Sequence, residues 1–178
     1  VDGILVILSC LLNFFGLPYI GLALGIFAVI FMIGEFLLYK EFIDGIVPKK
    51  TSYNTYGVKK ASGELKQRII FSGHVDSSYE WTYTHLGGHI LLYICGVIAV
   101  VSLFFVLISS ALNTFGVLEE GTTIYSIFRY GQFIGIPGGL LAIGFVNFRL
   151  CVEGANDNLT GAIGSVAILK YLKDNEID

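Results

Sequence analysis

From Ile4 to Tyr39 the chain carries a single charged side chain, Glu35. As one helix that run would measure about 50 Å, too long for a single crossing of a ~30 Å hydrocarbon core. Gly16-Leu17-Pro18 offers a break, because proline has no N–H to continue a helix. The pattern predicts a clipped span over residues 4–16 and a full span over 19–38, with Tyr39, Lys40 and Glu41 at the interface. Glu35 reads as an intramembrane carboxylate on a polar pathway or as a headgroup-level side chain, and its depth favours the second.

Composition agrees with a membrane chain. It is 54% hydrophobic with a mean hydropathy of +0.75, above the range of soluble domains. The net charge of −3 provides no basic surface for nucleic acid. Cys10, Cys95 and Cys151 lie far apart, without a CxxC pair, and are expected to be reduced and structural. The chain begins at Val1 and ends in Lys-Asp-Asn-Glu-Ile-Asp directly after a helix-like segment. Both ends read as cuts, so a fragment of a longer protein is expected.

Residues 40–86 are polar and mixed. Tyr53–Val58 and Leu65–Phe71 read as the two strands of a hairpin. The consecutive Ile69, Ile70 and Phe71 suit a strand buried on both faces of a sheet. A third span runs from Ile90 to Leu112 without a charge, behind an aromatic belt of Trp81, Tyr83 and Tyr93. A loop with Asn113, Glu119 and Glu120 follows. A fourth span is expected over 131–148, with Arg129 at one interface and a Pro137-Gly138-Gly139 break. Leu159, Ile163, Val166, Leu169 and Leu172 then form a helical stripe, which predicts an amphipathic helix over 158–173 capped by Asn156 or Asn158.

Lys40, Lys49, Lys50, Lys59, Lys60, Lys66 and Arg68 fall in the first polar piece; Arg149, Lys170 and Lys173 fall in the second. The loop between the third and fourth spans has none apart from Arg129 at its far end. The positive-inside rule therefore puts both pieces in the cytoplasm. Two intervening spans return the chain to the same face. Residues 40–86 and 150–178 can thus form one α/β domain, with residues 1–39 as transmembrane helices before it and residues 87–149 inserted as a transmembrane hairpin.

Two stretches carry chemistry. Ser72-Gly73-His74-Val75-Asp76-Ser77 places His74 and Asp76 at the C-terminal end of a strand, where open α/β sheets set their sites. A metal-binding imidazole usually donates its other N–H to a carboxylate, a role open to Asp76. A plain turn with a solvated His74 is the alternative. Gly154-Ala155-Asn156-Asp157-Asn158-Leu159-Thr160-Gly161 places an acid at a helix N-terminus, where the dipole stabilises it. An ordinary helix cap explains one of its polar residues, but less well all three.

Taken in order, "SGHVDS" and "GANDNLTG" resemble the two-zinc aminopeptidase family (leucyl aminopeptidase, glutamate carboxypeptidase II and transferrin receptor-like), in its membrane-bound bacterial branch. The resemblance covers residues 51–78 and 150–173. It implies a partial α/β zinc-exopeptidase fold combined with α-helical transmembrane segments. It implies two zinc ions, a peptide substrate and a bacterial plasma membrane location. His74 would bind one zinc, Asp76 would orient His74, and Asp157 would bridge both ions. The family's Glu-Glu pair, a further Asp and a last His, the general base among them, are expected beyond residue 178. Glu153 stands where the family often has Pro. His85 and His89 are read as interfacial, with extra ligands as the alternative, and Glu80 as lining a cleft or facing solvent. The expected function is a membrane-anchored zinc exopeptidase. A non-catalytic scaffold on the same fold is the alternative, and a transporter built on Glu35, Arg129 and Gln132 ranks last.

Overall fold

The computed structural model describes residues 1–40, 45, 48 and 51–177. Glu41, Lys49 and Lys50 lie outside the described residues. Two compact units emerge: residues 1–48 with 81–147, and residues 49–80 with 148–178.

The first unit is a helical bundle. Helix α1 (Asp2–Phe14) turns into α2 (Pro18–Phe31), which continues through a π-helical turn, Met32–Leu37. The expected break is present. Gly16 takes a φ of +84°, and the Leu17 N–H reaches back to the Leu12 carbonyl at 2.9 Å, closing α1 before Pro18 opens α2. Helix α3 (Thr82–Thr114) bends at Gly87 and Gly88 and runs on through the predicted third span. It ends as α1 does: Gly116 has a φ of +63° and the Val117 N–H bonds the Leu112 carbonyl at 3.0 Å. Asn113 belongs to the last turn of α3 and not to the loop.

The fourth span differs from expectation. Helix α4 (Thr123–Gly131), a 3₁₀ turn (Gln132–Ile134) and α5 (Gly135–Ile143) follow one right-handed helical course over residues 123–143. Thr122 caps it, its side chain accepting from the Tyr125 N–H at 3.1 Å. The course passes through Pro137-Gly138-Gly139 and ends at Gly144. Proline disturbs the turn on its N-terminal side, where its ring meets the preceding carbonyls, so the irregular turn lies before Pro137.

Helix α1 packs on α2, α3 and α5, and α3 packs on α2 and α5. Val6, Cys10, Ala28, Leu103 and Val106 form the core, with Phe133 and Ile136 against it. Close approach needs small residues: a Cβ on Gly139 would lie 2.6 Å from the Gly3 carbonyl oxygen, and one on Gly138 would fall on the Ser102 side chain. Pro18–Leu37 and Thr82–Thr114 are long and apolar enough to cross a membrane, with only 22% and 28% of their most apolar stretches buried. A soluble protein's core helix would hide most of that surface.

The second unit is smaller. It takes most of strands β1 (Tyr79–Trp81) and β2 (Val146–Cys151), which pair in a two-stranded sheet, and helix α6 (Thr160–Asp174), which follows β2. The expected hairpin does not form: residues 51–78 contain no strand. Ile69, Ile70 and Phe71 are 67%, 79% and 50% exposed and are not covered on both faces. A strand of that composition needs neighbours on each edge to bury it, and the described residues offer only the β1–β2 pair. On α6 the expected stripe is also turned outward at Ile163 and Val166. Its half-buried positions are Gly161, Ala162, Gly164 and Ser165 together with Leu169 and Leu172 of the expected stripe.

Candidate metal centre

Within the second unit, residues 73–79 run antiparallel to residues 162–148. A Cβ on Gly73 would fall on the backbone of Gly161 and Ala162, so only glycine lets the loop lie against the start of α6. One on Gly154, which has a φ of +66°, would sit 3.0 Å from the Ser77 Cβ. Beyond these, the Val152 N–H donates to the Ser78 carbonyl at 3.0 Å, and the Tyr79 and Phe148 rings meet edge to face at 5.3 Å. The two chemistry-bearing stretches are thus laid side by side by contacts on both flanks of the site.

Between those flanks His74 meets Asp157. The turn Ala155–Leu159 is wide, with the Leu159 N–H bonded to the Gly154 carbonyl at 3.2 Å, and it pushes Asp157 outward. His74 Nε2 lies 3.3 Å from Asp157 Oδ1. On the other side of the ring, Nδ1 lies 3.4 Å from Asp76 Oδ1 and 3.1 Å from the Asp76 carbonyl oxygen. Asn158 caps α6, its Oδ1 accepting from the Gly161 N–H at 3.1 Å.

The distances discriminate between roles. A hydrogen bond from ring nitrogen to carboxylate prefers 2.7–3.2 Å, so 3.3 Å is slack. The side chains of His74 and Asp157 are 52% and 92% exposed, and an exposed ion pair contributes under about 1 kcal/mol. The pair is therefore poor structural glue. Two donors bound at about 2.0–2.1 Å to one tetrahedral zinc stand about 3.4 Å apart. The spacing of His74 Nε2 and Asp157 Oδ1 fits such a shared ion, and Asp76 is placed to hold the opposite ring nitrogen.

Two donors do not complete a site. Among the described residues no group of three or more His, Cys, Asp or Glu side chains is placed to hold a metal. Asp76 faces the far side of His74. His85 and His89 lie on the first, exposed part of α3, and Glu80 lies half-buried on β1. Remaining ligands must come from outside the His74–Asp157 pair.

Sequence reasoning named His74, Asp76 and Asp157 but missed Gly73 and Gly154, which bring them together. The signal was present in the glycine that opens each motif. It also missed a polar cluster inside the bundle. Asn13 Nδ2 donates to Gln132 Oε1 at 2.6 Å and to Ser109 Oγ at 3.2 Å, and Asn113 Nδ2 donates to Asn13 Oδ1 at 2.9 Å. Asn13, a lone amide in an apolar run, was its sequence signal. Comparison with protein-family models, with curated proteins and with solved structures finds no match to this chain.

Proposed function

We propose that this chain belongs to a membrane-anchored zinc-dependent exopeptidase of the aminopeptidase type. One observation carries the reading: His74 and Asp157, distant in sequence, stand at the separation of two ligands on one zinc, with Asp76 on the other ring nitrogen. With the Asp76 backbone carbonyl accepting from Nδ1–H at 3.1 Å and the Asp76 carboxylate beside it at 3.4 Å, the Nε2 lone pair is left free for the metal. Asp157, with two carboxylate oxygens, has the capacity to serve a pair of ions. His74 and Asp157 would hold the ion, and the chemistry a zinc would supply there is polarisation of a carbonyl and a bound water with its pKa lowered toward ~7. The open, exposed setting of the three side chains leaves room for a peptide and for further protein ligands.

The membrane assignment rests on α2 and α3 and on the helical course 123–143, about 31 Å long by helix rise. Two crossings between residues 81 and 147 bring both parts of the polar unit to one face, and the lysine and arginine distribution selects the cytoplasmic side; a bacterial plasma membrane is what the family resemblance implies.

The test uses the purified full-length protein and an aminoacyl reporter substrate. Hydrolysis should stop on chelation and return with zinc. His74→Ala or Asp157→Ala should abolish it and lower bound zinc. Hydrolysis that survives both substitutions with unaltered metal content overturns the assignment. Bound zinc without hydrolysis of any peptide or aminoacyl substrate supports the non-catalytic scaffold instead. For orientation, a cysteine at the exposed Lys60 should resist a membrane-impermeant reagent in intact cells, and ready labelling reverses it.

A further inference from the structure

The helical course 123–143 is held by two kinds of contact. Its second half, α5, buries Gly135, Gly138 and Gly139 directly against α1 and α3. Its first half, α4, buries no residue at all. What holds α4 is a set of clips. Ser109 Oγ donates to the Phe128 carbonyl at 3.0 Å. The Phe105 and Phe128 rings stack at 5.4 Å, and the Arg129 guanidinium lies 5.0 Å over the Phe14 ring.

The two halves join at the 3₁₀ turn Gln132–Ile134. Pro137 cannot donate to the Phe133 carbonyl, so the N–H groups closing this turn go to the Gln132 and Phe133 carbonyls instead. A 3₁₀ stretch within a longer helix is a place where the helix can bend. Gln132 sits in that turn, fully buried. Its Nε2 donates to the Arg129 carbonyl at 2.8 Å, and its Oε1 accepts from Asn13, itself 3% exposed and tied to Asn113 and Ser109.

We propose that residues 132–134 are a hinge, that α4 swings on it while α5 stays fixed, and that the Asn13–Gln132–Asn113–Ser109 cluster is the latch. The latch joins α1 and α3 to the hinge residue itself, so releasing it frees the α4 half without disturbing the glycine-packed half. Opening uncovers a neutral polar lining of amide and hydroxyl groups inside the bundle.

Hydrogen–deuterium exchange on the full-length protein in lipid nanodiscs tests this, comparing peptides from 123–134 and 135–144. Gln132→Leu should speed exchange in the first at least tenfold and leave the second within twofold. Adding Pro137→Ala, which restores a donor for the Phe133 carbonyl, should slow the first again. Ser109→Ala, a milder change that loses the clip on Phe128, should act in the same direction and decides the matter if Gln132→Leu does not fold. Equal acceleration of both halves, no change in either half, or no slowing by Pro137→Ala overturns the hinge.

Discussion

The bundle and the polar unit are built on opposite terms. The bundle has a core of Val6, Cys10, Ala28, Leu103 and Val106, glycines that let helices touch, and an amide–hydroxyl cluster of Asn13, Gln132, Asn113 and Ser109 bonded to one another. It holds none of the candidate metal ligands. The polar unit holds all three, and none of its described residues is buried. Its shape rests on backbone contacts at Gly73 and Gly154, one helix cap and a short strand pair. Tight packing and open chemistry are thus segregated, as expected when ligands must stay accessible to metal and substrate. Burial stabilises by about 25 cal/mol per Å², a source the bundle uses and the polar unit largely lacks.

Substitution at the proposed metal ligands should separate the two most sharply. His74→Ala or Asp157→Ala is expected to cut hydrolysis by about a thousandfold or more, since in the proposed reaction the nucleophile would be generated on the ion. Detergent melting of the bundle should not move. A parallel loss of bundle stability in either variant breaks the separation.

The converse experiment enters the bundle. Gly138→Leu forces a side chain onto Ser102 and should destabilise by about 3 kcal/mol, the upper end for overpacking. Folded protein in a denaturant series reports this. Zinc affinity of the surviving folded fraction should match wild type. Asp76→Asn is smaller and returns to the polar unit: the carboxylate beside Nδ1 loses its charge while the backbone carbonyl still accepts at 3.1 Å, and zinc affinity should fall about 10-fold, the low end for such a partner, read by competition with a chelator. An unchanged affinity removes Asp76 from its orienting role.

These contrasts also explain what was legible in the sequence. The breaks at Gly16-Leu17-Pro18 and the extent of α2 and α3 follow from local hydropathy and turn chemistry, which act within a few residues. The course 123–143 was misplaced at its ends: Arg129 reads as the membrane edge and the apolar run to Phe148 as helix, whereas the helix starts at the Thr122 cap and Val146–Cys151 pairs as a strand. The cap at Asn158 was legible, being a contact across three residues. The hairpin over 53–71 was not realised, since alternation and β-branching describe a strand only when partners exist. The meeting of His74 with Asp157 was reached through motif resemblance, as no local pattern encodes so distant a pairing. Gly73 and Gly154, which make the pairing sterically possible, show their purpose only once the two stretches are side by side.

The smallest expected effect probes how the polar unit stands without a core. Asn158 follows Asp157 directly and gives its Oδ1 to the Gly161 N–H, at the point where Gly73 rests on the Gly161–Ala162 backbone. Asn158→Ala removes one cap, worth about 1 kcal/mol in a helix. In a core-stabilised unit that loss would be absorbed by side-chain packing around it. Here the cap, the Gly73 contact and the Asp157 turn are neighbours with no buried residue behind them, so the loss should spread along the turn. Limited proteolysis should find faster cleavage within 154–162, and zinc affinity should weaken by severalfold although Asn158 is not itself a ligand. Asn158→Asp, which keeps an accepting oxygen at the N-terminus of α6, should restore the protection. If Asn158→Ala leaves both cleavage and affinity at wild-type values, the polar unit is held by more than its backbone contacts, and the contrast with the bundle is one of exposure alone.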